Sequence, residues 1–566
     1  MPYGRTVFSR SSSLFLSSAL LVSLAAGIAR GQQSPASPAQ PSPAAAETPA
    51  PAAPAVRVTT RLVQIGVIVH DKNGPVSNLT QADFTVFDRG KLQPISTFSV
   101  VSHGSTGEAP VPLPPNTFSD LPLYNAAAPG SITIVLLDNL NTLSGAGAGA
   151  YEQTPLWLED HALANAKAHL LEYLQNLEPG ARVAVYGLSR TLHVLCDFTS
   201  DRERLLAIVK NYDARSVTSR EVVEPAHTHT PGPGAEFDSV IDIGRLDMAD
   251  FANEARATVT MAALQAIADH VAHIPGRKNL IWLTANLPLS GKGIAAVLGP
   301  AQIAAYPVDG RGLLPRSFLT NIEGNLDADE LSLGNGGRQM QSAEPTGIAA
   351  MQDMADLTGG KAFVNGNDLT TAIREAVNDA AVFYLLGFYI DAKSADGRFH
   401  ELKVALGQKG LDVRYPKGYF AFGDAAATDA ETHNNLITAV RSPIDSSSIP
   451  LRVHITRVVV PAPNSLLVEG RIDAHELRLE EKGKQRVGAV EVIILEQDGR
   501  GKILAHSTNR LNLRMQPEQY AGALATGIRF EKHVEPKPET TTLRILVQDR
   551  ESAQIGSVII PLSQIH

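Results

Sequence analysis

The chain has 566 residues, 44% of them apolar and 19% charged, with a formal net charge of −9 at pH 7. This length predicts more than one domain, and the apolar content argues against a wholly disordered chain. The acidic balance argues against nucleic acid as a partner, because no basic face is available to release the counterions of phosphates.

The first 31 residues have the features of a secretory signal peptide. Arg5 and Arg10 supply a positive start, and an apolar stretch of fifteen residues, Leu14–Ile28, follows them. Small residues at Ala29 and Gly31 suit a signal peptidase. An uncleaved membrane anchor is the alternative, although fifteen residues fall short of the roughly 20 that span a bilayer. Cleavage predicts a secreted or periplasmic protein without a membrane span.

The next segments predict a spacer followed by a small β unit. Residues 32–55 are mostly Gln, Pro, Ala and Ser, a composition typical of a linker. Residues 56–102 contain three strand-like runs separated by turn residues, which predict a small antiparallel β unit. Residues 103–130 are rich in Pro, Ser and Ala and predict a connector.

Residues 131–382 alternate between strand and helix patterns. The unbroken apolar run Ile132–Asp138 predicts a strand that is buried on both faces of a parallel sheet. Repeated alternation predicts an α/β domain with a doubly wound, mostly parallel sheet. The other predicted elements are helix Trp157–Leu177, strands Arg182–Leu188 and Leu192–Cys196, helices Asp201–Lys210 and Phe251–Ile274, strands Asn279–Thr284 and Gln302–Val308, helix Gly347–Leu357, strand Lys361–Val364 and helix Leu369–Val382.

The rest of the chain predicts β structure. Residues 383–422 contain three strand-like runs, which we expect to complete the N-terminal β unit, so that the α/β domain is inserted between β segments. Residues 423–449 predict a polar linker. Residues 450–566 contain about six or seven short strands with turn signals, a pattern typical of an immunoglobulin-like β-sandwich.

Polar residues follow the opening strand of the α/β domain. In open α/β sheets, ligands bind outside the carboxyl ends of the strands. Asp138, Asn141 and Thr142 are therefore the predicted ligand-binding residues. Asp309 ends another strand of this domain, where it is expected to hold the following turn.

Other reactive side chains predict structural roles. Cys196, the single cysteine, lies in a strand-like run and is expected to be a buried small hydrophobe. The pairs His227/His229 and His270/His273 are expected to be solvated, because two histidines do not make a zinc site. Arg277–Lys278 precedes a strand, which favours capping or surface charge over anion binding. The sequence lacks Gly-x-Ser-x-Gly and His-Glu-x-x-His, so no catalytic residue is predicted.

Six short stretches, taken in order, resemble a known family. They are Val69–Val76 with Leu79–Phe84, Leu136–Asp138 with Asn141–Thr142, Ile274–Leu283, Tyr306–Leu313, Thr358–Phe363, and Tyr384–Tyr389 with Lys417–Phe420. Over residues 56–422 the chain resembles the von Willebrand factor type A domain, and most closely the VWFA-related acidobacterial domain proteins. The resemblance implies a domain that binds proteins or other ligands.

The resemblance also implies a candidate Mg²⁺ site. Such domains place Asp-x-Ser-x-Ser after the first strand, a Thr in a second loop and an Asp after the fourth strand. Asp138 matches the first acid, whereas Leu140 and Ala285 replace a Ser and an Asp. The remaining candidate metal ligands are Asp138, Thr142 and Thr258, with Thr260 as the alternative to Thr258. The competing interpretation is that Asp138 and Thr142 only hydrogen-bond the surrounding loops.

These patterns predict an exported, non-enzymatic binding protein with a protein or cell-surface ligand. The alternative is a structural or assembly module of the cell envelope that acts through the C-terminal β-sandwich. A hydrolase is a distant third candidate, and the oligomeric state is left open.

Overall fold

The computed structural model describes residues 60–72, 74–102, 113–121, 132–141, 156–177, 181–212, 254–274, 276–285, 287, 289–310, 347–366, 368–379, 382–391, 393–423, 426–460 and 464–566. The predicted signal peptide and linker, 1–31 and 32–55, lie outside these residues. Among the described helices, none is long and apolar enough to cross a membrane.

The described chain begins with six strands. In order, they are β1 (Thr60–Asp71), β2 (Gly74–Pro75), β3 (Phe84–Asp88), β4 (Lys91–Gln93), β5 (Thr97–Ser102) and β6 (Thr117–Ser119). From Leu62 to Val67 the side chains of β1 alternate in burial, as expected of a strand with one face on a core, whereas Val67–Val69 are all buried.

A strand–helix region follows. Its elements are β7 (Ile132–Asp138), α1 (Leu156–Gln175), β8 (Arg182–Leu188), β9 (Leu192–Thr199), α2 (Arg202–Asn211), α3 (254–270), β10 (Lys278–Thr284), α4 (Gly291–Leu298), β11 (Ile303–Asp309), α5 (Ile348–Thr358) and α6 (Leu369–Asn378).

These strands form one sheet that is covered on both faces. Its order is β11-β10-β7-β8-β9, with parallel pairing except between β8 and the edge strand β9. Residues of α3, α4 and α5 pack on one face with Ile134 and Leu136. Residues of α1, α2 and α6 pack on the other face with Val135 and Leu137. The apolar run that precedes Asp138 is therefore buried because both faces of its strand meet helices.

Strands after the central sheet return to the N-terminal strands. They are β12 (Val382–Asp391), β13 (Phe399–Leu406), β14 (Asp412–Arg414) and β15 (Gly418–Phe420). β12 lies between β1 and β5, while β13 lies between β3 and β15, all in antiparallel pairing. The two sheets share an apolar core that includes Val67, Val86 and Phe388. Segments on either side of the α/β region therefore build one β module.

The C-terminal region consists of two sheets with two helices. Its elements are α7 (Asp429–Arg441), β16 (Leu451–Val458), β17 (Ser465–Ile472), β18 (Glu480–Lys482), β19 (Gln485–Gln497), β20 (Ile503–Met515), α8 (Pro517–Thr526), β21 (Ile528–Val534), β22 (Thr542–Asp549) and β23 (Ile555–Pro561). One sheet has the order β21-β17-β16-β6, and the other has the order β18-β19-β22-β23 with β20 on β19. Val453, Val492 and Ile545 belong to their shared core. The immunoglobulin-like assignment stays a prediction.

Two predicted loops contain regular structure instead. The connector 103–130 includes β6, which pairs with β16 near the start of the C-terminal region. The linker 423–449 includes α7, whose Ala439 packs with Ile493 and Leu546. Both elements are held by partners far away in the sequence, so local composition alone did not indicate them.

The sequence also predicts solvent exposure wrongly for three basic side chains. Arg277 and Lys278 are buried rather than surface charges, with 5% and 2% of each residue exposed. His270 is buried as well, and its Nδ1 lies 2.7 Å from the Asp445 carbonyl oxygen. α4 is not among the predicted elements, and α3 ends at His270, four residues before the predicted helix end at Ile274.

Candidate functional site

Parallel pairing brings the ends of neighbouring strands to one edge of the central sheet. Asp138, the last residue of β7, lies opposite Leu188 of β8. Thr284 of β10 lies opposite Asp309 of β11 at the same edge. This is the carboxyl edge at which the sequence places the candidate ligand residues.

Both carboxylate oxygens of Asp138 accept hydrogen bonds from the chain itself. Oδ1 accepts the backbone N–H of Asn141 at 2.9 Å. Oδ2 accepts Nδ2 of the same asparagine at 2.8 Å, Nε1 of Trp282 at 2.9 Å and Oγ1 of Thr284 at 3.0 Å. The carboxylate therefore joins β7 to β10 and to the loop that follows β7.

Burial dominates the electrostatics of this acid. Asp138 has no exposed surface, and this burial raises its pKa, while the hydrogen bonds from Asn141, Trp282 and Thr284 act in the opposite direction. Arg256 on α3 is an electrostatic neighbour: burial lowers its pKa, and the charge of Asp138 opposes that shift. This buried carboxylate is satisfied by donors of the protein and has a structural role at the carboxyl edge of the sheet.

α3 brings Thr260, and not Thr258, to Asn141, which is hydrogen-bonded to Asp138. Thr260 is fully buried, and its Oγ1 lies 3.0 Å from Nδ2 of Asn141, which donates to it. The Thr260 hydroxyl in turn donates to the carbonyl oxygen of Arg256 at 2.8 Å. Thr258, the first choice from the sequence, is exposed, and its hydroxyl donates to the carbonyl oxygen of Glu254.

The described residues of this edge do not fit a Mg²⁺ shell. The ion requires oxygen ligands with lone pairs directed at it, whereas Oδ2 of Asp138 already accepts three hydrogen bonds. Leu140 packs against the apolar core, and Ala285 is buried. Within the part of the chain that the structure describes, which excludes Thr142, no group of three or more His, Cys, Asp or Glu could hold a metal ion.

A second polar contact secures the loop after β7. Asn139 is buried, and its Nδ2 donates to the hydroxyl of Tyr212, which follows α2. The backbone N–H groups of Asn139 and Leu140 both donate to the carbonyl oxygen of Leu188. Gly187 makes room for the tyrosine, because a Cβ there would lie 2.9 Å from the Tyr212 hydroxyl oxygen.

The remaining predicted side chains lie in several different places. Cys196 is buried, as the sequence predicts, and burial raises the pKa of its thiol. Asp309 is buried at the edge, and its backbone N–H donates to the Phe363 carbonyl oxygen. His273 lies 3.1 Å from a carboxylate oxygen of Glu476. Thr142, His227 and His229 fall outside the described residues.

Sequence reasoning missed the partners that hold Asp138, chiefly Trp282 and Thr284. A usable signal was present: a tryptophan in a fully buried strand needs an acceptor for its indole N–H. Side chains two positions apart in a strand point to the same face, so Trp282 and Thr284 share one target. The asparagines after Asp138 carried no comparable signal.

No family model matches the chain, and no curated protein matches it in sequence. Among solved structures, it is similar to a von Willebrand factor type A protein from Catenulispora acidiphila (9% identity, TM-score 0.22, 84% of this chain and 75% of that one). It is also similar to BatB from Bacteroides thetaiotaomicron (13%, 0.25, 44% and 99%). A third similar structure is an aerotolerance-related membrane protein from Bacteroides fragilis (12%, 0.24, 44% and 99%). Structural similarities as low as these give no evidence about the function of this chain.

Proposed function

We propose that the protein is an exported, non-enzymatic binding protein whose type A-like α/β domain presents the carboxyl edge around Asp138 to a protein or cell-surface ligand. The observation that carries this proposal is the hydrogen bonding of Asp138. Its carboxylate receives donors from β10 and from the loop after β7, so it shapes a binding edge and is not presented as a reactive group.

Binding at this edge is proposed to be independent of a divalent cation. The lone pairs of Asp138 face protein donors, and Leu140 and Ala285 supply no ligand oxygen. Calorimetric titration of the full chain with Mg²⁺ and Mn²⁺ at millimolar concentration should give no binding heat. Loss of ligand capture in EDTA would contradict the proposal.

A second candidate is a structural or assembly module that acts through the C-terminal sheets. The observation in its favour is β20, thirteen residues long, whose strand pairing among the described residues is with β19 alone. A long edge strand offers backbone N–H and C=O groups to another chain.

One pair of full-chain variants separates the two candidates. Thr191→Arg adds a bulky charge to the exposed turn after β8, at the Asp138 edge. Asn509→Arg adds the same charge at an exposed residue of β20. The readout is photo-crosslinking of each variant to an envelope fraction of the native source. Loss of the product with Thr191→Arg alone supports edge binding, loss with Asn509→Arg alone supports assembly through β20, and loss with neither contradicts both.

A further inference from the structure

A cavity of about 370 Å³ lies between the N-terminal β module and the α/β region, away from the Asp138 edge. Its walls are mostly apolar and include Leu62 and Leu385 on the β module side and Ala295 and Ile303 on the α/β side. The volume is at the lower end of the range of about 300–1,000 Å³ typical of ligand pockets, which often form between domains.

One wall of this cavity carries the guanidinium of Arg277. This residue is 95% buried, since only 5% of its surface is exposed. Its Nη2 donates to the hydroxyl of Tyr306 at 3.2 Å and to the carbonyl oxygen of Gly359. Nε is buried and has no hydrogen-bond partner among the described residues, and Nη1 lies 3.6 Å from where a Cβ on Gly66 would stand.

Among the described residues, no carboxylate forms an ion pair with the guanidinium of Arg277. Within the described residues the nearest acid on its network is Asp379, which Tyr306 reaches at 3.0 Å. Asp379 is already held by Arg414, whose Nη2 donates to Oδ1 at 2.9 Å and whose Nη1 donates to Oδ2. A buried charge without a direct counter-ion is costly, and a bound anion would relieve that cost.

The other lining residues suit an anion with an apolar body. Among the described lining residues, none is Asp or Glu. Gln64 and Gln302 hydrogen-bond each other at 3.0 Å, and Tyr419 donates to Asp88. At the rim, Nη1 of Arg61 donates to the Phe422 carbonyl oxygen and adds a second positive charge. The buried charged group that could recognise an anion is therefore the guanidinium of Arg277, and most of the remaining wall is apolar.

We propose that this cavity binds a small amphipathic carboxylate, with the carboxylate accepting from Nη1 of Arg277 and the aliphatic chain against Leu62 and Leu385. Arg277 precedes β10, so the cavity lies at the amino end of a strand whose carboxyl end carries Thr284. The site is distinct from the Asp138 edge and does not rest on the function proposed above.

The test is calorimetric titration of the full chain with octanoate, 1-octanol and inorganic phosphate. Octanoate should bind at least tenfold more tightly than either of the other probes, because only octanoate combines the charge with the chain. Equal binding of octanol would overturn the role of the guanidinium, and equal binding of phosphate would overturn the role of the apolar wall. The absence of octanoate binding would overturn the site itself.

Two variants locate the site. Arg277→Gln should weaken octanoate binding at least tenfold and leave octanol binding unchanged, while Arg510→Gln, on the exposed strand β20, should change neither. Gly66→Val should weaken the binding of both probes, because the valine side chain would enter the cavity. A Cβ at this position has one atom within 4 Å, which is Nη1 of Arg277. Circular dichroism confirms folding of each variant. If Gly66→Val folds and binds octanoate as the wild type does, the proposed position is wrong, whatever Arg277→Gln does.

Discussion

Nε1 of Trp282 lies 2.9 Å from Oδ2 of Asp138 and donates a hydrogen bond that joins the ends of β10 and β7. Neither residue has exposed surface, so water does not compete for this bond. Hydrogen bonds to charged groups contribute about 1.5–3 kcal/mol, and leaving a buried partner unsatisfied costs a similar amount. The pair therefore contributes strongly to the order of the carboxyl edge.

Replacing the acid by its amide should destabilise the protein. Asp138→Asn puts an NH₂ group beside donors in either orientation of the amide. With the amide oxygen at the Oδ2 position, the backbone N–H of Asn141 loses its acceptor. With the oxygen at the Oδ1 position, Nδ2 of Asn141, Nε1 of Trp282 and Oγ1 of Thr284 lose theirs. We expect a loss of about 3 kcal/mol in the free energy of unfolding, measured by urea denaturation. Asp353→Asn, on the exposed face of α5, is the control and should change this free energy by less than about 0.5 kcal/mol. Equal stability of the two variants would show that the hydrogen bonds of Asp138 are dispensable.

The two threonines of α3 should respond very differently to the loss of the hydroxyl. Thr260→Val removes the acceptor of Asn141 Nδ2 and the donor to the Arg256 carbonyl oxygen, and should cost about 1–3 kcal/mol. Thr258→Val makes the same chemical change on the exposed side of the same helix and should cost less than about 0.5 kcal/mol. Thermal or urea unfolding of both variants measures the difference. A larger loss of unfolding free energy in Thr258→Val than in Thr260→Val would contradict the packing of the Thr260 face of α3 against the sheet.

The junction between α3 and the segment before β16 should weaken as pH rises through the acid range. Burial raises the pKa of Asp269 to about 6, against hydrogen bonds from Gln265 and Ser448. A carboxyl group whose pKa is higher in the folded state than in the unfolded state stabilises the fold at low pH. This contribution is complete at pH values below the unfolded-state pKa of 3.8. That contribution is lost as pH rises from about 4 to about 6, by at most about 1.4 kcal/mol per pH unit.

Asp269→Asn should therefore flatten the fall in unfolding free energy between pH 4 and pH 6, measured by urea denaturation at several pH values. The neighbouring contacts include the backbone, since Ser447 donates from its N–H and its hydroxyl to the Asp269 carbonyl oxygen, and these remain in the variant. Asp353→Asn again serves as the exposed control. An unchanged slope in Asp269→Asn would assign the pH dependence to other groups.

Local patterns predicted the central strands well because these strands are buried on both faces. β7, β10 and β11 each start and end within one residue of the apolar run that predicts them. β6 escaped prediction because it is three residues long and is held by β16, far away along the chain. The sequence does not predict α7, because the positions of its apolar residues are explained only by their packing on the sheet that contains Leu546.

The sequence by itself determined that an acid ends the first buried strand, because an apolar run that stops at Asp138 has few structural alternatives. Tertiary structure alone decided which donors surround that acid. Positions 258 and 260 differ by about 200° around a helix, so a single face reaches Asn141, and spacing along the chain does not select it. Tertiary structure also buried Arg277 beside a cavity, because residues on both sides of the α/β region fold back into one β module and enclose it.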